Sequence, residues 1–333
     1  MNSPTSNIIH RTNNSDRPLN ILLSSVHERY QENLDRTGNN FYLCHHPTFR
    51  KWDTSYAKIP PNHYTLDWRL PLEEQIPDWL NLDLILSGNK WDNFQAFCPL
   101  SRKLHIPFIQ LEHTACPEAY SPEMINQMKN MRGDLNCFIS DFSLDSWQID
   151  NRKDCYVVYH CVDTETFRPT VSYDERERIC LSVANDFINR NYFLNYELWR
   201  DGTYGLPTKL YGHTPGLSER AKSTKFLAEE YSKALIFVNT SRLSPIPMSV
   251  LESMASSCIV ITTKNCAIPE FIQHGYNGLF CNTALEFQDT IKKVLAEPED
   301  YYHLGENARK TILEKFNEKI FVDKWNQVFR KLL

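Results

Sequence analysis

The sequence has no apolar run near the roughly 20 residues that cross a bilayer, so no membrane-spanning helix is expected. Its first residues, MNSPTSNIIHRTNNSDRP, carry no apolar core of a secretory signal, and residues 1–17 read as a disordered lead-in. There is no block of basic residues, and the net charge is −5, so nothing points to nucleic acid. Ten cysteines are present, yet none forms a close CxxC pair and none is spaced with histidines as in a zinc site. Cys44, Cys137, Cys180 and Cys258 lie in apolar runs, as small hydrophobes do. Reduced, buried thiols of this kind suit a cytoplasmic protein. No Asp-x-Asp follows an apolar strand, Asp83 begins its own strand, and no two carboxylates pair by spacing, so no metal site is expected. Internal repeats and low-complexity segments are absent as well.

What is present is a chain of 333 residues with 41% hydrophobic, 23% charged and 12% aromatic content, enough for two domains. Short apolar, β-branched runs recur at Leu19–Ser24, Phe41–Cys44, Leu82–Ser87, Ile106–Leu111, Asn136–Ser140 and Asp154–Val158. Helical spacing fills several of the gaps, notably Asp92–Leu104 and Pro122–Met131. The stretch from His45 to Pro71 is rich in proline and aromatics and reads as a long connection. A second series runs through Arg178–Ala184, Pro207–Gly212, Leu235–Val238 and Cys258–Thr262, with helices at Tyr192–Trp199, Lys225–Tyr231, Leu285–Leu295 and Tyr301–Phe316. Strand–helix alternation of this kind argues for parallel strands with right-handed crossovers. The fold class is therefore α/β, with two Rossmann-like domains over 18–160 and 161–316.

The stretch Ser241–Cys281, SRLSPIPMSVLESMASSCIVITTKNCAIPEFIQHGYNGLFC, reads as loop, helix, strand and loop. Pro245 and Pro247 keep its first part out of helix. A loop entering a helix beyond a strand exposes free N–H groups and a positive dipole end, which suit phosphate. Pro247, Met248 and Ser249 stand at that entry, and Glu252 lies one to two turns in, where a carboxylate accepts hydrogen bonds from a ribose. The plainer reading of Glu252 is a solvated helix residue.

Glu252-Ser-Met-Ala255, Ile268-Pro-Glu270 and Asn277-Gly-Leu279 together resemble the nucleotide-sugar signature of the retaining GT-B glycosyltransferases of the glycosyltransferase 4 (glycogen-synthase-like) type. That signature carries an earlier Glu, separated from its second by seven intervening residues. Here Ser244 stands in the earlier place, a departure that bears on the donor-sugar contact rather than the fold. Val162-Asp-Thr-Glu-Thr-Phe-Arg-Pro169 resembles the family's interdomain segment, with Cys161 in place of its usual Gly. The resemblance implies a GT-B fold whose two domains face a central cleft, and transfer of a sugar from a nucleotide-diphosphate sugar with retention, without metal or further cofactor. It implies that residues 317–333 cross back to the first domain as a helix, and Phe321, Trp325, Val328, Phe329 and Leu332 do line one helical face.

The family clamps the donor diphosphate with an Arg and a Lys after the first strand of the second domain. Asn185 replaces that Arg here, and Arg190 falls in the Lys register, where a guanidinium binds phosphate bidentately. Gly212 and His213 resemble the loop that receives the base. His113, at the end of a first-domain strand, matches a family His that contacts the donor sugar, so His113 and Arg190 are the catalytic candidates. Ser25, His27 and His45, with His46 beside it, lie on neighbouring loops and are acceptor-side candidates. The partners are thus a nucleotide sugar and an acceptor that the sequence does not name, whether glycan, lipid-linked sugar or protein. The rival readings are a catalytically impaired GT-B protein that binds a sugar nucleotide or glycan, motivated by Ser244 and Asn185, and a sugar-nucleotide epimerase.

Overall fold

A computed structural model describes residues 5, 8, 9, 17–117 and 119–333. The expected lead-in over 1–17 lies outside them except for Thr5, Ile8, Ile9 and Arg17. The chain divides into two compact units. The first holds the described residues through Cys161 together with Glu318–Leu333, and the second holds Val162–Asn317.

Unit 1 runs β1 (Asn20–Leu23), α1 (Glu28–Leu34), β2 (Asn40–Leu43), β3 (His63–Thr65), β4 (Leu84–Ser87), α2 (Asp92–Leu104), β5 (Phe108–Glu112), α3 (Pro122–Lys129), β6 (Leu135–Phe138), α4 (Asp141–Ser146) and β7 (Cys155–Val157). Its seven strands form one sheet in the order β3-β2-β1-β4-β5-β6-β7. Every neighbouring pair is parallel. β4, β5 and β6 are buried along their whole length, as parallel strands covered on both faces must be. The strand order reverses between β1 and β4, which opens a crevice at their carboxyl ends. Two helices of this unit start on serine hydroxyls: Ser121 caps α3, whose first residue is Pro122, and Ser140 caps α4.

Unit 2 runs β8 (Glu177–Val183), α5 (Asn191–Leu194), α6 (Tyr196–Gly202), β9 (Thr208–Tyr211), α7 (Thr224–Lys233), β10 (Ala234–Asn239), α8 (Met248–Ala255), β11 (Ile259–Thr262), α9 (Ile268–Phe271), β12 (Leu279–Phe280), α10 (Ala284–Ala296) and α11 (Tyr302–Lys315). Its five strands lie in the order β12-β11-β10-β8-β9, again all parallel. The reversal here falls between β10 and β8. The final helix, α12 (Glu318–Arg330), belongs to unit 1. Phe321, Trp325, Val328 and Phe329 on it are buried in one cluster with Leu19, Ile21, Tyr30 and Phe41.

The elements differ from the sequence reading at four places. The long connection after His45 contains the edge strand β3, whose hydrogen bonds go to β2. The helix α4 is added after β6. The helix expected over Tyr192–Trp199 is two, because Asn195 adopts a left-handed conformation at φ 58° and breaks it. Leu279–Phe280 joins the second sheet as β12. Cys44, Cys137, Cys180 and Cys258 are buried, and burial pushes each thiol well up from its usual range.

Candidate active site

In unit 2 the loops that leave β8 and β10 meet at the point where strand order reverses. The β8 loop begins Ala184-Asn185-Asp186 and is tied to the loop after β9. The Asn185 Oδ1 accepts from the His213 N–H at 2.8 Å, and the Asp186 N–H donates to the His213 carbonyl at 2.7 Å. Asn185 thus spends its side-chain carbonyl on holding two loops together. Gly212 makes the approach possible, with φ +113° and the Ala184 carbonyl oxygen only 2.0 Å from where a Cβ would stand. His213 itself is exposed. The β10 loop is fastened to α5, since the Arg242 and Leu243 N–H groups donate to the Phe193 carbonyl at 2.8 and 3.0 Å. Arg190, three residues before Phe193, is exposed, and its guanidinium has no hydrogen-bond or ion-pair partner among the described residues.

The entry to α8 is built by Pro247, which caps it without a side-chain hydrogen bond. The Val250 and Leu251 N–H groups close onto the Pro247 carbonyl. The N–H groups of Met248 and Ser249 have no partner among the described residues, so two donors and the positive dipole end remain available. The other end of α8 is neutralised by cations. Arg176 donates to the Ser256 carbonyl at 2.9 Å, and Arg309 donates to the Ala255 carbonyl. Glu252 is 4% exposed, so the solvated reading does not hold, and the Tyr231 hydroxyl donates to its Oε2 at 3.2 Å. Ser244 is half-buried on the loop between.

A polar lattice that the sequence did not signal braces the carboxyl ends of β10 and β11. Asn239 Nδ2 donates to Thr262 Oγ1 at 2.9 Å, Ser241 Oγ to Asn239 Oδ1 at 2.7 Å, and Thr263 Oγ1 to the Ser241 carbonyl at 2.6 Å. Asn265 Nδ2 donates to that same carbonyl.

In unit 1, the carboxyl ends of β1 and β5 bring His27 and His113 together, with ring centroids 4.4 Å apart. Tyr30 stands edge-on to His113 at 4.7 Å and to His160 at 4.9 Å. Nothing in the local sequence of His160 marks it as a member of this group. Ser25 Oγ lies 3.4 Å from Glu28 Oε1, which also receives the Asp53 N–H at 3.0 Å and pairs with Arg50. His45 is not part of the group. Its backbone is bonded both ways to the Gln75 side chain, and its ring lies edge-on to Trp68 at 5.9 Å.

Burial holds the His113 imidazole well below its usual range, with His27 and His160 adding to the fall. Burial likewise brings His160 down to about 3, again with His27 contributing. Both rings are neutral at pH 7. Each binds a proton more readily in the unfolded chain, at 6.5, than in the fold. Stability is therefore full above that value and falls as pH drops towards about 3 for His160, with a limiting slope of about 1.4 kcal/mol per pH unit for each group. Urea unfolding at pH 7 and pH 5 measures this. Equal midpoints at the two pH values would show that the buried imidazoles carry no such linkage.

Residues 220–311 match the family model of glycosyl transferases group 1. A probable sucrose-phosphate synthase of Thermosipho melanesiensis is 30% identical over 124 residues, which is 33% of this chain and 29% of that one. The chain therefore aligns with under a third of that relative's length. Among solved structures, Anabaena HepE in complex with UDP and glucose superposes with a TM-score of 0.73 at 12% identity, covering 93% of this chain and 98% of its own. Sucrose-phosphate synthase from Thermosynechococcus elongatus gives 0.71 at 16% identity, with 94% and 99% coverage. Likenesses at such identities carry the fold.

Proposed function

From a chain of GT-B fold with a glycosyl transferases group 1 segment in its second unit, we propose a glycosyltransferase that moves a sugar from a nucleotide-diphosphate sugar to an acceptor, with retention of configuration. The carrying observation is the β8/β10 reversal point of unit 2. Two N–H groups without a partner among the described residues open α8 beyond β10, a buried carboxylate follows in the same helix, and an exposed guanidinium stands on the loop after β8. Met248 and Ser249 N–H with Arg190 suit a diphosphate, Glu252 suits the ribose hydroxyls, and His213 suits the face of the base. UDP bound to the similarly folded HepE supports a nucleotide of this class.

Catalysis in this reading rests on charge stabilisation of the leaving diphosphate by those N–H donors and Arg190. The departing diphosphate oxygen can itself take the acceptor's proton, so little protein acid–base machinery is required. His113 contributes a neutral imidazole to the transfer, and Ser25 and His27 serve the acceptor. Chelation by EDTA is expected to leave turnover unchanged, because the guanidinium and helix donors already offer the diphosphate positive charge. Loss of turnover that manganese or magnesium restores would overturn that expectation.

The test is calorimetry with UDP. Glu252→Gln removes a charged acceptor, worth roughly 1.5–3 kcal/mol, and is expected to weaken UDP binding about ten- to a hundredfold without unfolding the chain. An unchanged affinity would remove Glu252 from the site, and UDP located on the loops after β1 and β5 would overturn the assignment.

Two observations favour a second reading, a sugar-nucleotide binder impaired in transfer. Asn185 turns its carbonyl to the His213 N–H, and Ser244 lacks a carboxylate. Hydrolysis across a panel of sugar nucleotides separates the two, since the binder would bind donor without turning it over.

A further inference from the structure

Two charged side chains of unit 1 have no place in the transfer reading, although both lie deep in the protein. Glu112 is 2% exposed and Lys90 5% exposed. They stand at the carboxyl ends of the neighbouring strands β5 and β4, Glu112 as the last residue of its strand and Lys90 in the loop three residues beyond Ser87. Burying a charged group costs stability that its partners must offset. The pair is therefore better explained by what it orients than by what it stabilises.

Its geometry shows what it orients. Glu112 Oε1 accepts from the Thr114 N–H at 2.9 Å and from the Thr114 hydroxyl at 2.7 Å. The two bonds span His113 and close the turn on which it sits. The Thr114 carbonyl is held in turn by the Ser143 hydroxyl at 2.7 Å and the Trp147 indole N–H at 3.2 Å. Trp147 is fully buried and lies under Lys90, whose Nζ is 5.2 Å from its ring and donates to the Met131 carbonyl at 2.8 Å. Residues 112 and 114 are thus fastened while the ring of His113 meets His27, Tyr30 and His160. Burial favours the neutral forms of Glu112 and Lys90, and each partner's charge opposes that tendency in the other.

We propose that Glu112 is a positioning residue for His113, and that Lys90, packed over the Trp147 that holds the same turn, is the positive charge that balances it. The inference rests on the reading that His113 serves sugar transfer. Glu112→Leu removes the acceptor for Thr114. It is expected to lower kcat for hydrolysis of the best sugar nucleotide of the panel about a hundredfold, the scale that a misplacement of about 1 Å produces. The KM for that donor and the Kd for UDP should stay unchanged. Glu112→Gln alone leaves Lys90 buried without its counter-charge and should cost turnover. Adding Lys90→Met restores neutrality while the amide oxygen still accepts from Thr114, so the double variant should recover most of kcat.

In a His113→Asn background, Glu112→Leu should add no further loss. An equal further loss there, or a wild-type kcat for Glu112→Leu, would reduce Glu112 to packing and overturn the proposal. The imidazole signals of His113, assigned by their absence from His113→Asn, give an independent readout. They should move in Glu112→Leu, and unmoved signals also overturn the proposal. If Glu112→Leu does not fold, the comparison of Glu112→Gln with its Lys90→Met double variant decides by the same rescue. If His113→Asn leaves hydrolysis intact, or no donor is turned over, it is the transfer reading that fails, and the imidazole signals still decide whether Glu112 positions the ring.

Discussion

A chain ending at Lys319 is expected to lose the cooperative unfolding transition of unit 1, and its activity with it. Beyond that point α12 delivers Phe321, Trp325, Val328 and Phe329 to the cluster that also holds β1, β2 and Tyr30. Burying four such side chains contributes about 1.5–3 kcal/mol each. Their sum rivals the roughly 5–15 kcal/mol by which a whole domain is stable. Polar contacts are lost as well: Trp325 Nε1 donates to the Tyr30 hydroxyl at 2.9 Å, and Asn326 exchanges bonds with Asn39 and Thr37. Trp325→Ala is the milder form and should cost about 3–5 kcal/mol. Circular dichroism against temperature checks both. A truncated chain that melts within a few degrees of the full one would show that α12 is dispensable.

Gly212→Ala is expected to strike unit 2 hardest for a single methyl group. At φ +113° an L-residue is strained, and the added carbon would meet the Ala184 carbonyl oxygen at 2.0 Å and its carbon at 2.5 Å, both backbone atoms that cannot rotate away. The loops after β8 and β9 must separate, and the Asn185–His213 bond must stretch. Left-handed strain of about 1–2 kcal/mol joins an overpacking cost of about 1–3 kcal/mol. UDP affinity should fall with stability, because the same two loops carry Asn185 and His213. Gly216→Ala is the control. It too has positive φ, at +76°, but nothing lies within 4 Å of the new carbon, so it should cost about 1 kcal/mol. Urea midpoints that shift equally in the two variants would show that the Ala184 contact does not matter.

The alternating series of strands was legible because parallel strands buried on both faces must be continuously apolar, as Leu235–Val238 and Ile259–Thr262 are. The strand β3 was not legible, since His63-Tyr-Thr65 has no apolar pattern and its pairing with Phe41–Leu43 is purely tertiary. The break at Asn195 was hidden because the apolar spacing runs straight through it, while the break itself depends on a backbone angle. Glu252 and the Pro247 entry could be picked out from local order along one loop and helix, and Arg190 from its register after the first strand of unit 2. His160 and Glu112 could not, because each acquires its role from residues far away in the sequence. His160 meets Tyr30, and Glu112 answers Lys90.

The return of α12 to unit 1 has a consequence for how the protein is made. Unit 2 is an insertion in unit 1, entered after Cys161 and left before Glu318. On the ribosome the first unit therefore emerges nearly whole but without the helix that completes its core. At about 5–20 residues per second, translation of the insertion takes roughly 10–30 s. Throughout that time the surface meant for Trp325 and Phe329 is uncovered. Unit 2, whose strands and helices are contiguous, is free to fold first, so the order of completion in the cell should be the reverse of the order of synthesis.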